Sequence, residues 1–426
     1  MEKNNLKMKD SYIYKNISIG IHAIIPILFV LNKYAFAIAI ILNLFIYCLH
    51  YKNKSNLFVV ILLNSFIYSS LSLFGLKLYD WIIVIYFIFL LIKKHGKFFF
   101  NLRMIVLLIT SVIVFLFHSI KSPQILEMVR YIISIILVFN VINLEFNFDE
   151  IDNDIIHITL ANMYNAIVVY ILIGLGRVQN ISTSIISTST YIYKGEVRLN
   201  GFFTDPNKYM LYCLCLIFIA EIFISNKNKK NIIILLAMIS AVISMSRTSL
   251  ICFGVYFIIK IFKVLRKKSF VLYYIGIGLS LIIAIILILN PEIINNLVEN
   301  VFVNTAKLLG RQNTLKVNTS VENDNRVKIW TMAIQYIKNK PLIGYGWLAN
   351  EYLLPYPTHN TILSLMLDGG IFMLIAYLYA FIPLFRNKRL DVVVPYILIP
   401  LFLLDLGNYR LWYLLLGLII KKGKNI

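Results

Sequence analysis

His359 and Asn360 stand in the stretch YPTHNTILSLMLDGG, residues 356–370, directly before a run of mostly apolar residues. Histidine is the side chain best able to take or hold a proton near neutral pH. Three arginines stand at comparable breaks in apolarity: Arg198 in RLNGFFTDPNKY, Arg247 in SMSRTSL and Arg326 in ENDNRVKIW. A guanidinium grips phosphate through a planar fork and stays charged. Asp205 and Pro206 read as the cap and first turn of a helix, with Asn207 and Lys208 following. Thr358 or Asn360 caps the helix after His359. If those helices start on one face, their free N–H groups and dipoles favour an anion there. Arg326 in a first turn opposes its helix dipole by ~0.3–1 kcal/mol, which an anion would offset. Together these residues suit a membrane-borne diphosphate beside a group that accepts a proton.

Each residue also has a plainer reading. Arg198 and Arg326 suit solvated loops, Arg247 a turn residue that snorkels to the interface, and His359 a loop residue capping a span. Asp368 follows His359 at a spacing that leaves a shared face undecided. Glu127 and Arg130 are three apart, so they face each other on a helix. Asp405 and Arg410 read as a local ion pair, and Asn162 and Asn165 as interhelical contacts.

The elements that must position these groups are membrane helices. The chain has 426 residues, 60% hydrophobic and 14% charged, with a mean hydropathy of +0.80. A soluble domain carries about 25% charged residues. The apolar runs are continuous, which excludes an alternating β-barrel, and many approach the ~20 residues that cross a bilayer. About fourteen spans can be drawn, at 13–31, 34–50, 57–74, 79–92, 104–117, 125–142, 156–175, 208–224, 232–245, 248–264, 270–289, 361–381, 390–404 and 409–420. Several are short enough to be broken or re-entrant, giving 12–14. The expected fold is therefore an all-α polytopic membrane protein, one integral domain over residues 1–426.

The net charge is +21, but Lys and Arg gather in alternate connectors. That is the pattern of the positive-inside rule, not of a nucleic-acid face. Lys52, Lys54, Lys93, Lys94, Lys97, Arg103, Lys227, Lys229, Lys230, Arg266, Lys267, Lys268, Arg386, Lys388, Arg389 and both tails fall on the cytoplasmic side. Two long segments are left outside, 176–207 and 290–360. The second has helical periodicity at 291–311 and again at Val327, Trp330, Ala333, Ile334 and Ile337, stopped by Pro341. Short amphipathic helices over the outer face are expected there. The first apolar run reads as an uncleaved span, not a signal peptide. Cys48, Cys213, Cys215 and Cys252 all fall within apolar runs and read as small buried residues, with no metal site.

In order along residues 198–370, RLNGFFTDPNKY, SMSRTSL, NRVKIWTMAIQYIKNKPLIGYGW and THNTILSLMLDGG resemble the O-antigen polymerase and O-antigen ligase superfamily. The shared pattern is an Arg-x-x-Gly segment ending in Asp-Pro-Asn, then Ser-Arg-Thr at a span break. An Arg then opens a Trp-containing helix leading to Pro-Leu-x-Gly-x-Gly, and a His-Asn pair precedes a span with a central Gly. The N-terminal half matches only in having many spans.

The resemblance implies a bacterial plasma-membrane (inner-membrane) glycosyltransferase with both termini cytoplasmic. Its partners would be a polyprenyl-diphosphate-linked oligosaccharide, the bilayer and a chain-length regulator. It would need no cofactor, metal or nucleotide sugar. Carried over by position, Arg198 and Arg247 would hold the donor diphosphate, with Arg326 joining them or orienting the acceptor. His359 would be the general base and Asn360 would hold its loop; Asp205, Asn207 and Lys208 would bind substrate. The favoured activity is O-antigen or capsular repeat-unit polymerisation at the outer face. A ligase-type glycan transferase is the alternative. A flippase for the same lipid-linked sugars is a third reading, but transporters place charge at the midplane and show paired halves.

Overall fold

The computed structural model describes residues 2–51, 53–94, 97–118, 122–145, 148–174, 202–203, 206–244, 247–269, 325–385, 393–404, 406–407 and 409–424, with four two-residue strands between 181 and 197. Helices dominate them: α1 Glu2–Leu31, α2 Lys33–His50, α3 Lys54–Leu63, α4 Ser65–Tyr68, α5 Leu78–Lys94, α6 Leu102–Leu116, α7 Ser122–Asn143 and α8 Phe148–Gly174. Then come α9 Pro206–Phe223, α10 Lys227–Ile243, α11 Arg247–Lys268, α12 Asn325–Asn339, α13 Ala349–Tyr352 and α14 Thr361–Phe385. A π-helical turn, Val394–Leu398, leads into α15 Ile399–Leu403, and α16 is Arg410–Lys424.

The helices turn apolar side chains both inward and outward. Ile24, Ile27, Ile38, Ile41 and Phe45 of α1 and α2 are exposed, as are Ile85 and Ile92 of α5. Apolar faces this extensive suit lipid, not water. The molecule is an all-α membrane protein. The stretches Pro123–Asn143, Ile151–Leu172 and Thr361–Leu384 are by themselves long and apolar enough to cross a bilayer.

Polar side chains turn inward instead and join helices. Asn43 donates to Ser18 (3.3 Å), Asn64 donates to Asn43 (3.4 Å), and Tyr68 donates to the same Asn43 oxygen (3.1 Å). Asn162 of α8 bonds Tyr212 of α9, the interhelical contact expected of it. Asn165 is also buried, without a partner for its side chain among the described residues.

Ion pairs mark one end of the bundle. Lys94 meets Glu145 (3.3 Å), Lys229 meets Asp152 (2.8 Å), Lys260 meets Glu221 (2.9 Å), and Lys422 donates to the Ile222 carbonyl (2.9 Å). Among the described residues, cations of the 93–103 and 227–230 connectors and of the C-terminal tail thus gather at one end.

Several sequence expectations are corrected. The run 57–74 is not one span: α3 stops at Asn64, α4 follows, and the chain then makes a hairpin, β1 Ser72–Leu73 with β2 Leu76–Lys77. In segment 176–207, Ile181–Ser182 pairs with Ser187–Thr188 and Ile192–Tyr193 with Glu196–Val197. Arg410 bonds Asp80 on α5; Asp405, the partner expected for it, lies outside the described residues. Of the four cysteines, Cys48 is exposed. The amphipathic stretch 327–337 forms α12; the one at 291–311, and the span at 270–289, lie outside the described residues.

Candidate functional site

The His-Asn pair is held from three sides. Asn360 caps α14, its side-chain oxygen accepting from the Ile362 and Leu363 N–H groups (3.0 and 3.1 Å). This satisfies two of the donors a helix start leaves open. Thr358 donates its N–H to the Asn350 side chain (2.9 Å), and its carbonyl accepts from the Trp330 indole of α12 (2.7 Å). Between these anchors His359 takes φ +48°, left-handed backbone uncommon for a residue with a Cβ. Its side chain is half-buried. Such backbone persists only where the surroundings over-determine it.

The loop before it clasps a break in α14. Gly370 has φ +64° and ψ −159°, so the helix is interrupted there. Tyr345 N–H donates to the Leu367 carbonyl (2.7 Å) and Gly346 N–H to the Asp368 carbonyl (2.8 Å), while Ile371 N–H donates to the Pro341 carbonyl (2.8 Å). Three backbone groups beside the break are thereby paired. Backbone lies on backbone, and that needs glycine. A Cβ at Gly370 would stand 2.3 Å from the Leu342 carbonyl, and one at Gly344 2.5 Å from the Leu367 carbonyl oxygen.

Asp368 belongs to this clasp. Its carboxylate accepts from the Ala349 N–H (3.0 Å). His118 at the end of α6 ties in from the other side, its ring nitrogens 2.7 Å from the Val114 carbonyl and 3.2 Å from the Gly344 carbonyl. Gln124 of α7 donates to the Trp347 carbonyl (3.2 Å).

Several helices begin together beside this start. Thr361 Oγ1 donates to the Leu404 carbonyl (2.7 Å) and accepts from the Leu406 N–H (3.0 Å), so α14 starts against the segment that leads to α16. Tyr409 in that segment donates to the Lys208 carbonyl in the first turn of α9 (3.1 Å). The next residue, Arg410, donates to Asp80 in the first turn of α5 (2.8 Å). Arg247 opens α11. Glu221 of α9 bonds Lys260 of α11, and Lys260 lies as far along the chain from Arg247 as Glu221 does from Lys208. α10 runs back between α9 and α11, so Lys208 and Arg247 both stand at helix starts on one end of the bundle. Arg326 lies one turn before Trp330 on α12. The backbone therefore brings the starts carrying Asn207, Lys208, Arg247 and Arg326 to the end of the bundle that holds His359 and Asn360. Asn207 is half-buried and Lys208 exposed. Of Arg247 and Arg326 only the backbone is described. Arg198 and Asp205 lie outside the described residues.

Residues 232–378 match the family model described as O-Antigen ligase. The O-antigen ligase match takes in Arg247, Arg326, His359, Asn360 and the glycine clasp, and so covers the centre of this arrangement. It supports a membrane glycan transferase of the O-antigen ligase and polymerase kind. Lys208 and all of α1–α9 lie before it. No curated protein matches the chain.

Sequence reasoning passed over Asp80, His118 and Lys77. Asp80 carried a signal, since an acid at the start of an apolar run is expensive and so worth a reading. Its partner stands 330 positions away, and no local pattern could supply it.

Proposed function

We propose that the chain is a polysaccharide polymerase of the outer membrane face. It moves a glycan from polyprenyl diphosphate onto a hydroxyl of a second lipid-linked repeat unit. The acceptor oxygen forms a bond to the anomeric carbon while the bond from that carbon to the diphosphate breaks. Polyprenyl diphosphate leaves with the electron pair, and the hydroxyl proton passes to His359. Arg198, Arg247 and Arg326 hold the diphosphate and stabilise the charge that grows on it, the largest expected contribution to rate. Asp205, Asn207 and Lys208 bind substrate, and Asn360 fixes the His359 loop.

One observation carries this reading. The His359–Asn360 start of α14 is anchored by Trp330 and Asn350 at the end of the bundle where α9 and α11 also begin, within a segment that matches O-Antigen ligase. The ligase reading rests on that same description and differs only in the acceptor. Purified protein incubated with a lipid-linked repeat unit alone separates them. A ladder of products supports the polymerase, and chelator leaves it unchanged if no metal takes part. Transfer only onto a different, added acceptor supports the ligase. No transfer in either case removes the enzyme and leaves transport.

A further inference from the structure

Beside the His359 start lies a second group of cations, three of them from the part of the chain that precedes the family match and one, Arg410, from beyond it. Arg130 of α7 donates to the Gly75 carbonyl at the tip of the β1–β2 hairpin (2.9 Å) and to Glu127 (3.2 Å). Lys77 ends that hairpin, and its N–H donates to Asp80 (3.0 Å). The other Asp80 oxygen is taken by Arg410 (2.8 Å), next in sequence to the Tyr409 that bonds the Lys208 carbonyl. Four cations, Lys77, Arg130, Lys208 and Arg410, thus share two carboxylates among the described residues, and both carboxylates are already engaged. No carboxylate among them pairs with the amines of Lys77 or Lys208. Like charges are held together here on a half-buried surface, where repulsion is screened less than in water. Lys77 registers it: burial first, then Lys208 and Arg130, lower its pKa to about 8 against the pull of Asp80. Helices α5, α9 and α16 point their N-termini at the same place, which adds to the field.

We infer that Lys77, Arg130 and Lys208 form a subsite for the diphosphate of a lipid-linked substrate. This rests on the transferase reading for the substrate's identity, but not for the anion chemistry. Leu406 bonds Thr361, and Arg410, four residues further on, bonds Asp80, so a short stretch of chain ties the cluster to the start of α14.

The test is pulse acylation of amines in the full-length protein, in nanodiscs of zwitterionic lipid at near-neutral pH, read by peptide mass spectrometry. Lys338, exposed on α12, serves as the reference. Inorganic pyrophosphate and a polyprenyl diphosphate should each slow labelling of Lys77 about tenfold or more, with Lys338 unchanged. Arg130→Gln, or the milder Lys208→Gln at an exposed position, should remove that protection. Equal protection by phosphatidylglycerol would make this a bulk-lipid contact and overturn the assignment. So would protection by neither diphosphate, or slow labelling before any anion is added, since a carboxylate of the chain would then already fill the cluster. Protection without glycan transfer would keep the subsite and remove the transferase; transfer without protection would do the reverse.

Discussion

At the residue scale, the site depends on a few groups with separable roles. His359→Ala should leave the protein folded and inserted while lowering transfer by ~10²–10⁴-fold, the usual contribution of a positioned base. Cells would then accumulate single repeat units; full-length polymer from this variant would end the general-base role. Lys77 adds a pH signature. The groups facing it are Lys208, Arg130 and Asp80, with Arg410 and Glu127 paired behind them. Its pKa of about 8 lies below the usual lysine value, so it is charged below that pH and neutral above it. An anion stabilises the charged form. Bound pyrophosphate therefore raises the Lys77 pKa, and at a pyrophosphate concentration near its dissociation constant protection should be greatest below pH 8 and weaken as the pH rises above it. Protection that holds steady well above pH 8 would mean that Lys77 does not contact the anion.

At the scale of elements, the break in α14 and the loop that fills it form one unit. Gly370→Ala puts a side chain into left-handed backbone and against the Leu342 carbonyl. A loss of about 2–4 kcal/mol is expected, seen as a clear drop in the melting temperature of the detergent-solubilised protein. Asp368→Asn keeps an acceptor for the Ala349 N–H and should melt close to wild type, whereas Asp368→Ala should not. If all three melt alike, the clasp does not hold the fold. Trp330→Phe removes the bond to the Thr358 carbonyl and part of the indole's packing while keeping an aromatic ring. It should lower transfer more than stability, because it releases the residue beside His359. Elements were partly legible in the sequence. Periodicity and Pro341 located α12, and the polar pair before an apolar run located the start of α14. The clasp was not legible, because Gly344 and Gly370 are explained by each other's backbone and no local pattern joins them.

At the scale of the whole molecule, charge sets direction. Lysines and arginines collect at the end marked by Lys94, Lys229 and Lys422, and the His359 start stands at the opposite end. We propose from the positive-inside rule that the first end faces the cytoplasm. A cysteine placed at Lys338 should then react with an impermeant maleimide on intact cells, and one at Lys267 only after the membrane is opened. The opposite result would put the site inside the cell and exclude chemistry on flipped substrates.

Composition, run length and the alternation of cationic connectors determined by themselves that this is a helical membrane protein and which ends of its spans share a side. Those properties are local or additive, so they can be read one segment at a time. The motifs likewise picked out His359, Asn360 and the arginine-bearing helix starts. The tertiary structure alone decided what stands beside them: Asp80 against Arg410, Lys77 and Arg130 against Lys208, and Gly344 laid on the broken turn of α14. These are contacts between distant parts of the chain. They exist only once packing has chosen which helices are neighbours, a choice made by the fit of many side chains at once and not by any stretch of sequence.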